Sequence, residues 1–242
     1  MTLTGRRILI TGAARGLGET LAWHLAEAGA ELILADILEE EGRAVAKALD
    51  SRFTPVDLRD PVSIAAFADT VEGPLHGLVN NGAIATGIGG IGFEDVEIDT
   101  FDRVMEVNVR GTWLMIRAMA PHLRQAGSGR IVNVASDTAL WGAPNLISYT
   151  ASKGAVISMT RSLARELGPD GIGITAIAPG ILTTESTNYV PRERHAHYET
   201  YRAVPGPQPA EDITGTVAFL LSEAALTLTG QVLPVNRGFV FT

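Results

Sequence analysis

The chain has 242 residues, 46% of them hydrophobic, with 27 acidic against 19 basic side chains and a formal net charge of -8. That balance argues against nucleic acid as a partner, because its phosphates select a basic face, while the hydrophobic share is ample for a sizeable core. With no cysteine present, disulfides, thiolate metal sites and a cysteine nucleophile are excluded, which fits a reducing compartment.

In chain order, RILIT (within 6–11) reads as a buried strand and GLGETLAWHLAEAGA (16–30) as a helix. ELILAD (31–36) is a second strand and EEEGRAVAKALD (39–50) a second helix, followed by strands in RFTPVDL, HGLVNNG and GRIVNVAS. Continuous Ile/Leu/Val runs mark strands buried on both faces, as in a parallel sheet. A long helical pattern covers 100–127 with a break expected near Gly111, and another covers 149–168. A strand at 172–179, a Pro/Gly/charge-rich segment to about 209, a helix over 210–222 and a strand near 231–235 complete the chain. Strand–helix alternation predicts an α/β fold: a doubly wound parallel sheet (Rossmann fold) in one domain spanning 1–242, with a substrate lid near 185–209. The N-terminal apolar run is too short for a secretion signal, and no run of about 18 apolar residues follows it. The expectation is a soluble, cytoplasmic protein with no membrane partner.

ITGAARGLGE joins the first strand to the first helix, with glycines at 12, 16 and 18. Such a turn lets backbone approach a pyrophosphate at a helix N-terminus. On its own it equally describes a tight connection; following a strand and opening a helix, it predicts a dinucleotide site that includes Arg15 and Leu17. Asp36 ends the second strand, where a carboxylate accepts from ribose hydroxyls and repels a 2'-phosphate. Ile37 beside it brings no positive charge, so NAD is expected over NADP, although Arg15 is a cation in reach. Asp57, with Leu58 next to it, ends the third strand, where it either accepts from the adenine amino group or is simply a strand-end acid.

SYTASKG places Tyr149 four residues before Lys153, on one helical face. A tyrosine ionises at about 10, so it must be shifted by roughly two to three units to act as a base near neutrality. A neighbouring ammonium favours the phenolate. Ser136 stands at the carboxyl end of a strand, where it can hold a substrate oxygen beside Tyr149. No histidine–acid partner accompanies it, so it is not read as a nucleophile.

Taken in order, TGAARGLG, NNGA, ASDTALWGAPNLISYTASK and APGILTT resemble the short-chain dehydrogenase/reductase family in its single-domain branch, across nearly the whole chain. The resemblance implies an NAD(P)-dependent oxidoreductase acting on CH–OH groups, commonly a homotetramer. It implies catalytic roles for Asn108, Ser136, Tyr149 and Lys153, with Tyr149 as general acid/base exchanging a secondary alcohol and a ketone. Lys153 would also hold the nicotinamide ribose, and Asn108 would distort its helix and hold a water that links Lys153 to solvent. The family's P-G-x-x-x-T motif falls on Pro179, Gly180 and Thr184; Thr184 would bind the carboxamide, with the backbone of Leu182 close to the ring. Its N-N-A-G appears as Asn80, Asn81, Gly82, Ala83 with the last two exchanged, a small departure between compact residues. Its usual acid–glycine–glycine ending is replaced by Asn236 and Arg237 in VNRGF.

On the substrate side, Ser136, Thr138, Leu146 and Tyr149 are the expected contacts, on a mostly apolar wall. The glycine-rich stretch 85–93 would be a rim of the site or a surface loop. The polar segment 188–202 reads as a lid helix; its Arg192, Arg194, His195 and His197 could meet an anionic or polyhydroxylated substrate, with a solvated outer face the favoured reading. His195 and His197 do not share a helical face, so no metal is expected. The substrate is expected to be a small molecule, such as a sugar, polyol or other hydroxy compound. A non-catalytic NAD(H)-binding sensor or scaffold is the alternative. It is disfavoured because Ser136, Tyr149, Lys153 and Asn108 are all kept. An epimerase or dehydratase would need a longer chain.

Overall fold

The computed structural model describes residues 2–242. Seven strands form one parallel sheet: β1 Arg7–Thr11, β2 Glu31–Asp36, β3 Arg52–Pro55, β4 Gly77–Asn80, β5 Arg130–Val134, β6 Gly173–Pro179 and β7 Val232–Val235. Their order across the sheet is β3-β2-β1-β4-β5-β6-β7, so chain direction of travel reverses between β1 and β4. That junction opens a crevice at the carboxyl ends of the strands, where open α/β sheets take their ligands.

Alternate residues of each strand feed two cores. Ile8 and Ile10 of β1 pack under helices α1 (Gly16–Glu27) and α9 (Glu211–Leu220), through Leu21, Leu25 and Val217. Leu9 faces the opposite layer, built by Phe67 of α3 (Pro61–Ala68) and by Met115 and Met119 of α5 (Thr112–Ala126). Helix α2 (Glu39–Ala48) covers β2 and β3. The remaining helices are α4 (Ile98–Met105), the single turn α6 (Thr138–Trp141), α7 (Ile147–Leu167) and α8 (Arg192–Tyr201). No helix among the described residues is long and apolar enough to cross a membrane.

Most predicted elements stand within a few residues of their expected bounds. Two differences have physical reasons. The first helix stops at Glu27 rather than at residue 30, because Gly29 takes a φ of +90°, which turns the chain into β2. The pattern over 100–127 does not break at Gly111; it widens into a π-helical segment, Glu106–Gly111, between α4 and α5. A Cβ on Gly111 would lie 2.5 Å from the Leu58 carbonyl oxygen, so the helix can pass the loop after β3 only with glycine there. π-Bulges recur where a helix must aim a residue inward, and the residue aimed here is Asn108, 1% exposed.

Candidate active site

The glycine turn is locked onto the end of β4. The Asn81 amide donates to the carbonyls of Thr11 (3.1 Å) and Gly12 (2.9 Å), while Thr11 Oγ1 accepts the N–H groups of Asn81 and Gly82, both at 3.1 Å. Gly12 (φ +66°) approaches so closely that an added Cβ would lie 2.6 Å from Gly82 Cα. The exchanged order in NNGA is compatible with this packing: a Cβ at Gly82 would meet first a flexible Leu58 methyl, at 2.8 Å. Asp36, 8% exposed, ties the turn to β2 by accepting from the N–H of Ala14 (2.9 Å) and of Leu38 (3.0 Å). Each carboxylate oxygen keeps a lone pair for a further donor.

A cleft of about 560 Å³ runs from this turn to α7. At one end lie Asp36, Ile37, Asp57 and Leu58; the floor is Gly12, Asn81, Gly82 and Ala83; at the other end are Ser136, Tyr149 and Lys153, with Pro179, Gly180 and Leu182 alongside. Arg15 and Leu17 line it as well. The expected contacts Gly16 and Gly18 are not part of this lining; they shape the turn. Exposed Arg59, the backbone stretch Ile84–Thr86, and Ser186 and Thr187 also line the cleft and were not singled out from sequence. Each follows the carboxyl end of a strand, the one signal that marked them.

Three further expected contacts do not reach the cleft. Thr184 is turned into a capping box on the short 3₁₀ turn Glu185–Thr187, and Thr187 takes its place on the wall. Thr138 acts through Ser136, donating from Oγ1 to Ser136 Oγ at 2.9 Å. Leu146 packs instead against Gly89 of the glycine-rich loop, where an added Cβ would lie 2.5 Å from its Cδ1. Asn108 stands on the π-helical segment, as the expected helix distortion requires, and its side chain has protein partners. Its Oδ1 accepts from Ile84 N–H (2.7 Å), and both its amide hydrogens are spent, on the Ile84 carbonyl (3.0 Å) and Ser152 Oγ (3.1 Å). The side chain pins the loop after β4 to α7.

Lys153 is 4% exposed and donates from Nζ to the Val134 carbonyl at 2.7 Å, with its ammonium 5.5 Å from the Tyr149 ring centre. Burial lowers its pKa to about 8. Burial also pushes the Tyr149 phenol up; the Ser136 hydroxyl acts against that shift, while the Tyr189 and Asp137 charges reinforce it. Desolvation dominates the phenol in the chain by itself, and the expected depression by Lys153 is not among the effects on it. Next to Ser136, the buried Asp137 carboxyl is raised to about 6, chiefly by burial, against hydrogen bonds from Tyr198 and Asn236. Among the described residues there is no cluster able to hold a metal ion.

The shift of Lys153 carries a stability consequence. Its folded pKa, about 8, lies below the ordinary 10.5, so between those values the unfolded chain binds the proton more strongly. Lys153 thus costs stability below about 8, and the cost fades as pH rises toward 10.5. Lys153→Met is expected to raise unfolding free energy at pH 7 by up to about 3 kcal/mol, with the gain shrinking from pH 8 to 10. Urea denaturation at both pH values measures it; a less stable variant at pH 7 would show that the Val134 bond outweighs desolvation.

Comparison with known proteins places this geometry in a family. A family model described as enoyl-(acyl carrier protein) reductase matches residues 12–240. A 3-alpha-(or 20-beta)-hydroxysteroid dehydrogenase of Mycobacterium bovis is 37% identical, covering 98% of this chain and 90% of the relative. A 3-ketoacyl-(acyl-carrier-protein) reductase from Brucella melitensis, solved with NADH, superposes with a TM-score of 0.92 at 32% identity, covering 99% and 100% of the two chains. A Beutenbergia cavernae protein described as an NAD(P)-dependent gluconate 5-dehydrogenase, with bound NADP, gives 0.90 at 32% identity, covering 98% of each. The chain belongs to the short-chain dehydrogenase/reductase family. It is an oxidoreductase acting on CH–OH groups, with a nicotinamide cofactor.

Proposed function

We propose that the chain is an NAD-dependent oxidoreductase that interconverts a secondary alcohol and a ketone, with Tyr149 as general acid/base. The observation that carries this reading is the assembly of Ser136, Tyr149 and Lys153 at one end of a cleft whose other end is Asp36. The cleft fits a dinucleotide: Gly12 and Gly16 sit at φ +66° and +58°, and a Cβ at either Gly12 or Gly18 would collide with backbone. Backbone around the turn would hold the pyrophosphate, Asp36 the adenosine ribose and Lys153 the nicotinamide ribose. When bound, the oxidised cofactor supplies the acceptor for the hydride. Ser136, its hydroxyl oriented by Thr138, would hold the substrate oxygen. Tyr149 would take the alcohol proton in oxidation and return it to the alkoxide oxygen in reduction. Its burial favours the neutral phenol, the form that donates in reduction, and Lys153 favours the phenolate that oxidation needs. Asn108 would keep the loop Ile84–Thr86 closed on the cleft.

The proposed substrate is a hydroxy compound, a sugar or polyol among the choices; the family resemblance supports a homotetramer, and a cytoplasmic location stays the expectation from the sequence. The test is a screen of secondary alcohols, sugars and hydroxy acids with NAD and with NADP, followed by NADH or NADPH absorbance; light scattering reads the assembly. NAD-coupled oxidation by the wild type is the expected result, and a tenfold or greater NADP preference would overturn the cofactor assignment. Asp36→Ser is expected to weaken NAD by about 10- to 100-fold, the worth of one hydrogen bond to a charged acceptor, and to raise kcat/KM for NADP. Exposed Arg15 and Arg59, which line the same cleft, then meet the 2'-phosphate without the Asp36 carboxylate against it. Steady-state kinetics with both cofactors measure the exchange.

A further inference from the structure

Asp137 lies immediately after Ser136, is fully buried, and faces away from the cleft. Both its oxygens are used. Oδ1 accepts the Tyr198 hydroxyl at 2.8 Å, and Oδ2 accepts the Asn236 amide at 3.1 Å. Tyr198 belongs to α8, where it is 2% exposed, and its oxygen also accepts the Trp141 indole N–H at 3.0 Å. Its ring stacks on Phe239 with centres 4.0 Å apart. Asn236 cannot turn round, because its Oδ1 already accepts the N–H groups of Gly238 and Phe239, both at 3.1 Å. Gly180 makes the room: an added Cβ would lie 3.0 Å from Asp137 Oδ2 and 3.1 Å from Tyr198 Cε1. One carboxylate thus joins the strand end that carries Ser136, the helix α8 and the C-terminal turn.

The position of the acid is informative. The family ending places an acid where this chain has Asn236, and this chain has its acid across the hydrogen bond, at Asp137. We infer that Asp137 is a positioning residue: through Tyr198 and Asn236 it fixes α8 and the C-terminal turn over the substrate side, and the pair Asp137/Asn236 works as an acid and an amide whose places are interchangeable. A single change breaks the match of donors and acceptors. In Asp137→Asn one donor, Tyr198 or Asn236, meets an amide hydrogen. In Asn236→Asp two carboxylates face each other, and a buried pair left so is costly. The double variant Asp137→Asn/Asn236→Asp restores every partner: the amide oxygen at 137 accepts from Tyr198, its N–H donates to the acid at 236, and that acid still accepts from Gly238 and Phe239.

The kinetic arm rests on the oxidoreductase reading; the exchange arm does not. Hydrogen exchange of residues 192–201, read on the chain without substrate, is expected to speed by at least about 10-fold in each single variant and to return to within about threefold of wild type in the double. With the best substrate of the alcohol screen, each single variant should raise KM by about 10-fold or more with kcat little changed, and the double should recover it. Tyr198→Phe, which keeps the ring and its stacking, serves if a single variant fails to fold, and should move exchange the same way. Unchanged exchange in α8, or a double variant no better than the singles, overturns the inference. A wild type that oxidises nothing in the screen overturns the functional reading, and exchange then still decides the role of Asp137.

Discussion

Tyr149→Phe is expected to lower turnover by between about 10²- and 10⁴-fold, the range a positioned proton-transfer group contributes, while NADH affinity stays within about threefold. The change removes one oxygen and little else. The ring keeps its place on α7, Lys153 keeps its bond to the Val134 carbonyl, and Ser136 keeps its bond from Thr138. The end of the cleft at Asp36, proposed for the adenosine, lies at the far side of the site and is untouched. The alkoxide oxygen in reduction, or the alcohol proton in oxidation, then has only Ser136 or water to deal with, and neither matches a phenol poised for the transfer. Stopped-flow or steady-state turnover together with NADH fluorescence titration separates the two effects. A variant that turns over within about threefold of wild type would remove Tyr149 from the reaction; one that loses NADH as well would mean that the ring packs against the cofactor more than it acts on the substrate.

What the sequence showed and what it hid follow one division. Patterns that repeat along the chain were legible. Strands such as ELILAD declare themselves by a continuous apolar run, and the structure gives β2 those same bounds, Glu31–Asp36. The glycine turn, Asp36, Tyr149 and Lys153 were legible because each sits at a fixed place on a strand end or helix face. Helix α3 does not stand out in the sequence although Asp60 and Pro61 mark its start, the Asp60 side chain accepting from Val62 N–H at 2.9 Å. Its eight residues are too few for a helical period to stand out. Side-chain partners across the fold were the least legible. Nothing in the spacing says that Thr184 caps a turn while Thr187 lines the cleft, or that both Asn108 amide hydrogens are spent on Ile84 and Ser152. Nor does spacing show that Asp137 and Asn236, 99 residues apart, share a hydrogen bond. Those facts depend on which loops meet, and the loops meet only once the sheet is built.

Gly18→Ala should have the largest effect on the fold of the site. An added Cβ would lie 1.9 Å from the Gly12 carbonyl oxygen and 2.6 Å from the Asn81 amide nitrogen. Real Cβ atoms do not approach backbone oxygen so closely, and the oxygen belongs to a turn fixed at φ +66°, not to a side chain that can swing away. The first turn of α1 must therefore tilt off β1, or Gly12 must move and release the Asn81 bonds to Thr11 and Gly12. Either way the N–H groups that would face a pyrophosphate lose their aim. Overpacking of this kind costs about 1–3 kcal/mol of stability, and cofactor affinity should fall by about 10- to 100-fold, since each lost charge-assisted hydrogen bond removes about 1.5–3 kcal/mol. Gly215 supplies the contrast. It lies exposed in α9 with nothing within 4 Å of an added Cβ, so Gly215→Ala should stabilise by about 0.5–1 kcal/mol, the propensity difference in a helix interior. Thermal melts and cofactor titrations on both variants test the pair. If Gly18→Ala binds NADH as tightly as wild type, the glycine turn is a tight connection only, and the cofactor's phosphates rest elsewhere in the cleft.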